Sequence, residues 1–375
     1  MKFSLDRDVL ADGVAWAARA LPTRPAIPTL AGIQISSADH ELVMSGFDLE
    51  SAASVTVPAT IDEPGTVLVS GRLLADISRA LPPQQVIFAT EGSRLELSCG
   101  RSSFVLPTLP SDDYPSLPQM PAAVGNIDGA KFAAVVTSVA VAAGRDDTLP
   151  MLLGIKLEIE GGRVALAATD RYRLAVREFE WVPRQGDFSG AALVPARTLA
   201  DTAKQLANSK EVSIAYAAAG SGIGEGLLGL EGDGRRITTR LLDGEFPKYR
   251  QLLPTESSSL VKIETGPLVE AVKRVSLVAE RNTPVRLRFA GDEVVLQAGS
   301  GEDAQASESV ECSINGESVE IAFNPQYLLD GLGAIGSTVA NLSFIGSTKP
   351  AVITAAVAAA DEEYRYLLMP VRLTS

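Results

Sequence analysis

Adjacent carboxylates are the residues in this chain most able to do chemistry. Asp112-Asp113 and Asp146-Asp147 have the composition of an acid–base pair or of half a metal site. Both pairs lie in proline-containing loops, where aspartate forms turns by bonding its own backbone. His40, the sole histidine, falls in a hairpin turn, which removes most imidazole catalysis. No Ser-His-Asp arrangement can be assembled around it. Gly220, Gly222, Gly224 and Gly226 follow a strand, as a phosphate-cradling loop would. The segment after them, LLGLEGDGRRITTRLL, has strand character and not helix character, which favours a hairpin loop. Cys99 and Cys312 are the only cysteines and stand far apart, so they predict neither a disulfide framework nor a zinc site.

The stretch that organises the chain is Arg163 to Arg177, RVALAATDRYRLAVR. Val164, Leu166 and Ala168 alternate with Ala165 and Ala167. Leu174 and Val176 resume the alternation after Thr169-Asp170-Arg171-Tyr172, which predicts a strand, a short polar turn and a second strand. An earlier version is Glu41 to Ser51, and a weaker later one is Glu293 to Gly301. Asp48 and Asp170 lie 122 residues apart, close to a third of the 375-residue chain.

Length predicts two or three domains. Apolar residues make up 46% and aromatics 5%, an ordinary composition for a soluble protein with Ala, Val, Leu and Ile cores. No apolar run reaches the roughly 20 residues of a membrane span, and MKFSLDRDVL has no signal-peptide core. The expectation is a cytosolic protein. A net charge of −13 argues against a simple basic DNA-binding domain, though it leaves local patches open.

The elements repeat three times as strand, helix, strands, helix, strands. Leu10, Val14, Ala17 and Leu21 mark the first helical face, stopped by Pro22, Pro25 and Pro28. Helices are predicted over 71–81, 131–143, 195–207, 267–280 and 325–335. Arg72 to Asp76 repeats as Arg197 to Asp201 at an offset of 125, and Pro195 repeats as Pro325 at 130. Asp113-Tyr114-Pro115 and Glu245-Phe246-Pro247 place acid, aromatic and proline before each linker. The linkers are the proline-rich 117–125 and the serine-rich 253–259. Repeats of this size are whole domains, here 1–121, 126–250 and 258–375. Each offers antiparallel sheet on one side and two helices on the other. Arg19, Arg72, Arg79, Arg197, Lys204, Lys273, Arg274 and Arg281 lie on or beside the helices, mixed with Asp12, Asp76, Asp201, Glu270 and Glu280. They permit a mildly basic helical face, or an ordinary solvated one.

Five motifs, in order on a triplicated chain, resemble the bacterial sliding clamps, the beta subunits of DNA polymerase III. They are Met1-Lys2-Phe3, Arg24-Pro25-x-x-Pro28, Thr169-Asp170-x-x-Arg173-Leu174, Phe246-Pro247-x-Tyr249 and Met369-Pro370-Val371-Arg372-Leu373. The resemblance covers the whole chain. It implies an α+β fold of three tandem clamp domains, with sheets outside and helices facing the hole of a head-to-tail homodimeric ring. It implies a tether and not a catalyst, which turns polymerase dissociation into reattachment at high effective concentration. The implied partners are double-stranded and primed DNA, read without sequence preference. Clamp-binding peptides would bring the polymerase III alpha subunit, clamp-loader subunits, other polymerases, ligase and mismatch-repair proteins. No cofactor, metal or membrane is implied, and the location is cytoplasmic, at the nucleoid.

By matched positions the partner pocket holds Leu152, Thr169, Arg171, Tyr172, Arg173, Leu174, Pro247, Leu252, Leu367, Met369, Pro370, Val371 and Arg372. DNA-facing positions are Arg24, Arg72, Arg94, Arg197, Lys204 and Arg274. Dimer contacts are Phe104 and Leu106 of the first domain against Leu277 and Val278 of the third. Two departures stand out. Where the best-known clamps carry two adjacent tyrosines that touch DNA, this chain has Pro150-Met151, so Arg145 in the same loop is the expected substitute. After Arg250, where a second arginine is usual, stands Gln251, which predicts a less basic pocket. Two alternatives remain beside the clamp: a clamp homologue conferring drug resistance, and a three-domain hydrolase or ligand-binding protein using the carboxylates.

Overall fold

The computed structural model describes residues 1–218, 226–279, 283–299, 304–357 and 362–372. Gly220, Gly222, Gly224, Glu280, Arg281, Gly301 and Leu373, named above, lie outside the described residues.

The first repeat runs β1 (Lys2–Asp6), α1 (Arg7–Ala17), β2 (Gly32–Ala38), β3 (Glu41–Phe47), β4 (Ser51–Pro58), β5 (Thr60–Glu63), β6 (Thr66–Ser70), α2 (Gly71–Ala80), β7 (Gln85–Glu91), β8 (Arg94–Cys99) and β9 (Ser102–Leu109). The second runs β10 (Ala123–Ile127), α3 (Gly129–Ala140), β11 (Gly154–Glu160), β12 (Arg163–Thr169), β13 (Arg173–Glu180), the two-residue β14 (Val182–Pro183), β15 (Ser189–Pro195), α4 (Ala196–Gln205), β16 (Val212–Ala217), β17 (Leu227–Gly232) and β18 (Arg235–Arg240). The third runs β19 (Ser259–Glu264), α5 (Thr265–Val275), β20 (Val285–Ala290), β21 (Glu293–Ala298), β22 (Ala306–Gly316), β23 (Val319–Phe323), α6 (Pro325–Ala334), β24 (Val339–Phe344), β25 (Ala351–Ala355) and β26 (Glu362–Leu368).

Local chemistry explains the helices. Asp6 caps α1 by accepting the Asp8 amide at 2.8 Å, and Leu10, Val14 and Ala17 are fully buried. Asn324 caps α6 by accepting the Gln326 and Tyr327 amides, with Pro325 in the first turn. Two segments differ from expectation. β10 begins inside the proline-rich stretch read as a linker, and β19 begins at the last residue of the serine-rich one. Each is too short to show a period of its own and is fixed by its neighbours: Ile127 pairs Val212, and Ser259 pairs Phe344.

Backbone contacts divide the chain into two compact units, Met1–Gly129 with Asn208–Leu241 and Ala130–Ala207 with Leu242–Ser375. Strands of the middle repeat are therefore shared between them. In the first unit the strand order is β10-β16-β17-β18-β4-β3-β2-β6-β9-β8-β7-β1-β5. In the second it is β15-β11-β12-β13-β26-β25-β24-β19-β22-β21-β20-β23. The sheets run across the repeat boundaries, through an antiparallel seam of β4 with β18 and another of β13 with β26. Helix α1 packs on β3 and β4, and α5 packs on β19, β21 and β22. Among the described residues no helix is long and apolar enough to cross a membrane.

Candidate functional site

The turn between β12 and β13 is built by its own polar side chains. Asp170 accepts the Tyr172 and Arg173 amides through Oδ1, each at 3.0 Å. The Thr169 hydroxyl donates to the Arg173 carbonyl at 2.6 Å. The tightness forces Arg171 into the left-handed region, φ 80°. The turn then swings Arg173 inward. Its side chain is 4% exposed and donates to Asp170 at 2.9 Å, to Asp330 at 2.6 Å and to the Tyr366 hydroxyl at 3.4 Å. Its guanidinium lies 4.2 Å from the Tyr327 ring centre. Burial works against the Arg173 charge, but Tyr366, Asp330 and Asp170 outweigh it and raise its pKa. The cation is permanent and fully committed.

Register then assembles an apolar floor. Leu174 sits opposite Thr169 on one side and Leu367 on the other. Ala167, Val176 and Tyr249 complete the buried cluster, with Phe246 and Leu253 packed against it. The chain leaving β26 continues the seam, for the Met369 amide donates to the Tyr172 carbonyl at 2.9 Å and the Val371 amide to the Ala322 carbonyl at 2.8 Å. This holds Met369, Pro370, Val371 and Arg372 along the floor's edge. Tyr172 (55%), Leu252 (52%), Met369 (39%) and Val371 (38%) remain exposed around it. An exposed apolar rim over an apolar floor is the kind of patch that marks interaction sites. Leu152 is buried below the rim, and Pro247 is exposed on it.

A cavity of about 450 Å³ opens beside this floor. It gathers Leu152, Arg171, Tyr172 and Arg173 with Arg145, Tyr327, Gln326 and Asp330. The last three come from α6 and escape a reading of the sequence. Tyr327 and Asp330 are three residues apart on one helical face, the one local signal that could have found them. Arg145, expected to touch DNA, therefore lines the same cavity as the pocket residues. It also lines a neighbouring cavity of about 610 Å³ beside Arg197 at the start of α4.

The other expected positions divide. Arg24 is exposed in its proline loop, and Arg72 donates to the adjacent Thr23 carbonyl at 3.1 Å, so these two are brought together. Arg94 opens strand β8 opposite Glu91 and shares no bond with them. Among the described residues Arg197 makes only a long 3.9 Å approach to Asp201, and Lys204 is exposed on α4. Arg274 is exposed and donates to both carboxylate oxygens of Glu308, at 2.5 and 3.0 Å. Leu277 is 84% exposed just after α5, with Val278 half-buried beside it. Leu106 is 1% exposed and belongs to the core of the first repeat. Phe104 is half-buried, and Val105, 55% exposed, is the outward residue of β9.

The carboxylate pairs are turn formers. Asp112 and Asp113 close a short 3-10 turn. Asp146 accepts the Thr148 hydroxyl at 2.6 Å and its amide at 3.0 Å, which holds its pKa low. Among the described residues no group of three or more His, Cys, Asp or Glu could hold a metal. Burial raises the Cys312 thiol to about 11, and Cys99 is buried.

Comparison with known proteins covers the whole chain. Residues 1–118, 126–248 and 250–372 match the N-terminal, central and C-terminal domains of the DNA polymerase III beta subunit family. The chain is 58% identical over 377 residues to the beta sliding clamp of Streptomyces coelicolor, covering 100% of both. It is 45% identical over 375 residues to the beta sliding clamp homolog GriR of Streptomyces muensis, covering 99% of both. A crystal structure of the Bacillus subtilis DNA polymerase sliding clamp superposes with a TM-score of 0.92 at 26% identity over 100% of both chains.

Proposed function

The chain belongs to the DNA polymerase III beta subunit family, and from that premise we propose how its own residues do the work of a sliding clamp. Membership makes it a non-catalytic processivity subunit of the replicative polymerase, acting in DNA replication. It neither makes nor breaks a bond. Its contribution is to hold a polymerase near its template, so that release becomes fast recapture. A bacterial replication subunit works in the cytoplasm, and we place this one at the nucleoid. Similarity to the clamp exceeds similarity to the GriR homologue, which favours the replicative reading over a drug-resistance copy.

The observation that carries the partner reading is the rim of Tyr172, Leu252, Met369 and Val371 over the floor of Leu174 and Leu367. It fits an extended peptide whose Leu and Phe side chains bury against that floor, with Met369 adapting to several partners. The polymerase III alpha subunit, clamp-loader subunits, other polymerases, ligase and mismatch-repair proteins are the proposed carriers of such peptides. Fluorescence anisotropy with a short Leu-Phe peptide tests it. Micromolar binding that is lost on removing 369–375 is expected, and unchanged affinity would sink the assignment.

The ring reading rests on strand edges. The two seams within the chain share one register, Ile237 opposite Ala53 and Tyr366 opposite Ala175. By the hairpin pairings, Phe104 of β9 holds the place of Ile237, and Ala306 of β22 holds the place of Ala53. Ser102–Pro107 and Ala306–Glu311 each pair on one side only among the described residues. Open edges of this kind invite a strand. We place Phe104 of one protomer opposite Ala306 of the next, closing a head-to-tail dimer. Val105 and Leu277 then enter the contact, and Leu106 supports it from within. A Ser103→Cys, Ser307→Cys chain should form an inter-subunit disulfide and run at twice 39.3 kDa. DNA contacts are proposed for Arg24, Arg72, Arg197, Lys204 and Arg145. Arg24→Ala should weaken primed-DNA binding most at low salt, since phosphate contacts release counterions.

A further inference from the structure

Past Pro247 the groove runs into another cavity, of about 340 Å³. Lys156 and Glu158 of β11 line it together with Phe246, Lys248, Tyr249 and Arg250. Phe246 and Tyr249 also pack the groove floor, so the two sites are continuous. Lys156 lies opposite Ala167, and Ala167 opposite Val176, which places the lysine on the row of the sheet that makes the floor.

The charges here do not cancel. Glu158 is the one carboxylate lining the cavity among the described residues, and it is already used. It accepts the Tyr249 hydroxyl at 2.8 Å and the Arg250 guanidinium. Arg250 also lies 4.8 Å from the Tyr249 ring centre. Lys156 and Lys248 have no carboxylate within 4.0 Å among the described residues, and Lys248 is exposed. Three cations, Lys156, Lys248 and Arg250, therefore share the one carboxylate Glu158 at the groove's end, on a chain of net charge −13. Gln251 lines this cavity too, and the positive charge beside it comes from lysines of another strand and of the segment before Tyr249.

We infer that this cavity is a subsite for acidic residues flanking the apolar anchors of a partner peptide. The inference rests on the groove reading above and names the chemistry of the partners this groove prefers. An acidic molecule repels acidic segments at long range, so a local cationic pocket at the groove decides which peptides gain. Lysine side chains are mobile point charges on flexible stems, and they pair with a carboxylate without a fixed geometry. Arg250 is held by Glu158 and shapes the wall.

The test uses the whole protein and four labelled peptides with the same Leu-Phe core. One has neutral flanks, one an Asp-Asp pair before the core, one the pair after it, and one Lys-Lys on both sides. One of the two acidic peptides should bind about threefold to tenfold tighter than the neutral one at low salt. The gain should shrink with added salt and vanish in the K156Q/K248Q double variant, which should still bind the neutral peptide as before. Equal affinity for acidic and neutral peptides overturns this inference and leaves the groove standing. Failure of every peptide to bind overturns the groove reading itself. A double variant that loses affinity for primed DNA and keeps the peptide ranking assigns the lysines to phosphate instead, and also overturns the inference.

Discussion

The seam of β4 with β18 and the seam of β13 with β26 share one backbone. Asp48 accepts the Glu50 and Ser51 amides at 2.9 and 2.6 Å, as Asp170 accepts those of Tyr172 and Arg173. Leu49 and Arg171 have φ values of 79° and 80°. The Arg240 amide donates to the Glu50 carbonyl at 2.9 Å, as Met369 donates to Tyr172 at the same length. Two residues on, Leu242 donates to Leu193 at 2.7 Å, as Val371 donates to Ala322 at 2.8 Å. The side chains are opposite in kind. At the first seam Glu50 and Arg240 are 73% and 65% exposed and approach each other in solvent. Phe47, Ala52 and Tyr114 close the floor beneath. At the second seam Tyr172 and Met369 take the same places, and Arg173 stands where Ser51 stood. The turn belongs to the fold. The groove proposed as the peptide site comes from what the turn carries, on a backbone the two seams share.

The largest expected effect separates Arg173 from Ser51. Ser51 shares a hydroxyl contact with Thr239 at 3.1 Å, while Arg173 satisfies two carboxylates and two tyrosines. Arg173→Ala leaves Asp170 and Asp330 facing each other without their cation. It should cost about 3 kcal/mol, the low end for breaking a buried pair, because Asp330 keeps some solvent. Ser51→Ala should cost under about 1 kcal/mol. Denaturant midpoints of both variants measure the contrast, and equal losses would mean that the Arg173 network is no special feature of its seam.

The next experiment converts one rim into the other. A Tyr172→Glu, Met369→Arg chain restores the first seam's pair at the second. With the backbone bonds unchanged, the fold should keep its melting temperature within a few degrees. Peptide affinity should fall by about thirtyfold, roughly 2 kcal/mol, as two rim anchors are lost. Retained binding would show that the floor alone suffices.

How much of this was legible follows from what leaves a periodic trace. The equivalence of Asp48 and Asp170 was readable because alternating strands flank each turn at a fixed offset. Helical faces were readable for the same reason. The partners of Arg173 were not, since Asp330 lies 157 residues away and an ion pair across repeats imposes no spacing. At β9 it is the resemblance, and not alternation, that names Phe104 and Leu106 as dimer contacts; the structure turns Leu106 inward and Val105 outward. The charge of Arg274 was visible, but its capture by Glu308 was not. Lys156 and Lys248 carried no signal, because one sits in a strand and the other in a turn.

A smaller effect tests whether the two turns are one device. A side chain in the left-handed region costs about 1–2 kcal/mol, and glycine gives back about 0.5–1 of that in unfolded-state entropy. Leu49→Gly and Arg171→Gly should therefore each stabilise by up to about 1 kcal/mol. Matching shifts in the denaturant midpoint sharpen the comparison, and opposite signs break it. Only Arg171→Gly should alter peptide binding, since Arg171 lines the cavity and Leu49 faces a solvated rim.

The smallest effect is a pH dependence confined to the second seam. Burial pushes the Glu158 carboxyl up, but the bonds from Arg250 and Tyr249 outweigh it and hold the group below its ordinary 4.5. A depressed carboxylate adds stability above its unfolded pKa and loses it as pH falls through the folded one. The stretch Tyr249–Leu252, which these bonds tie to β11, should loosen only in acid. Glu158→Gln should therefore lower the melting temperature slightly at pH 7, and the difference from the parent should close as the pH falls below 4.5 through the depressed carboxyl. At the first seam burial pushes Tyr114 up to about 12, outweighing a backbone contact at Phe47 that pulls it down. Tyr114→Phe should thus show the same small change at both pH values. A gap for Glu158→Gln that stays constant into acid would mean the carboxylate acts by packing and not by charge.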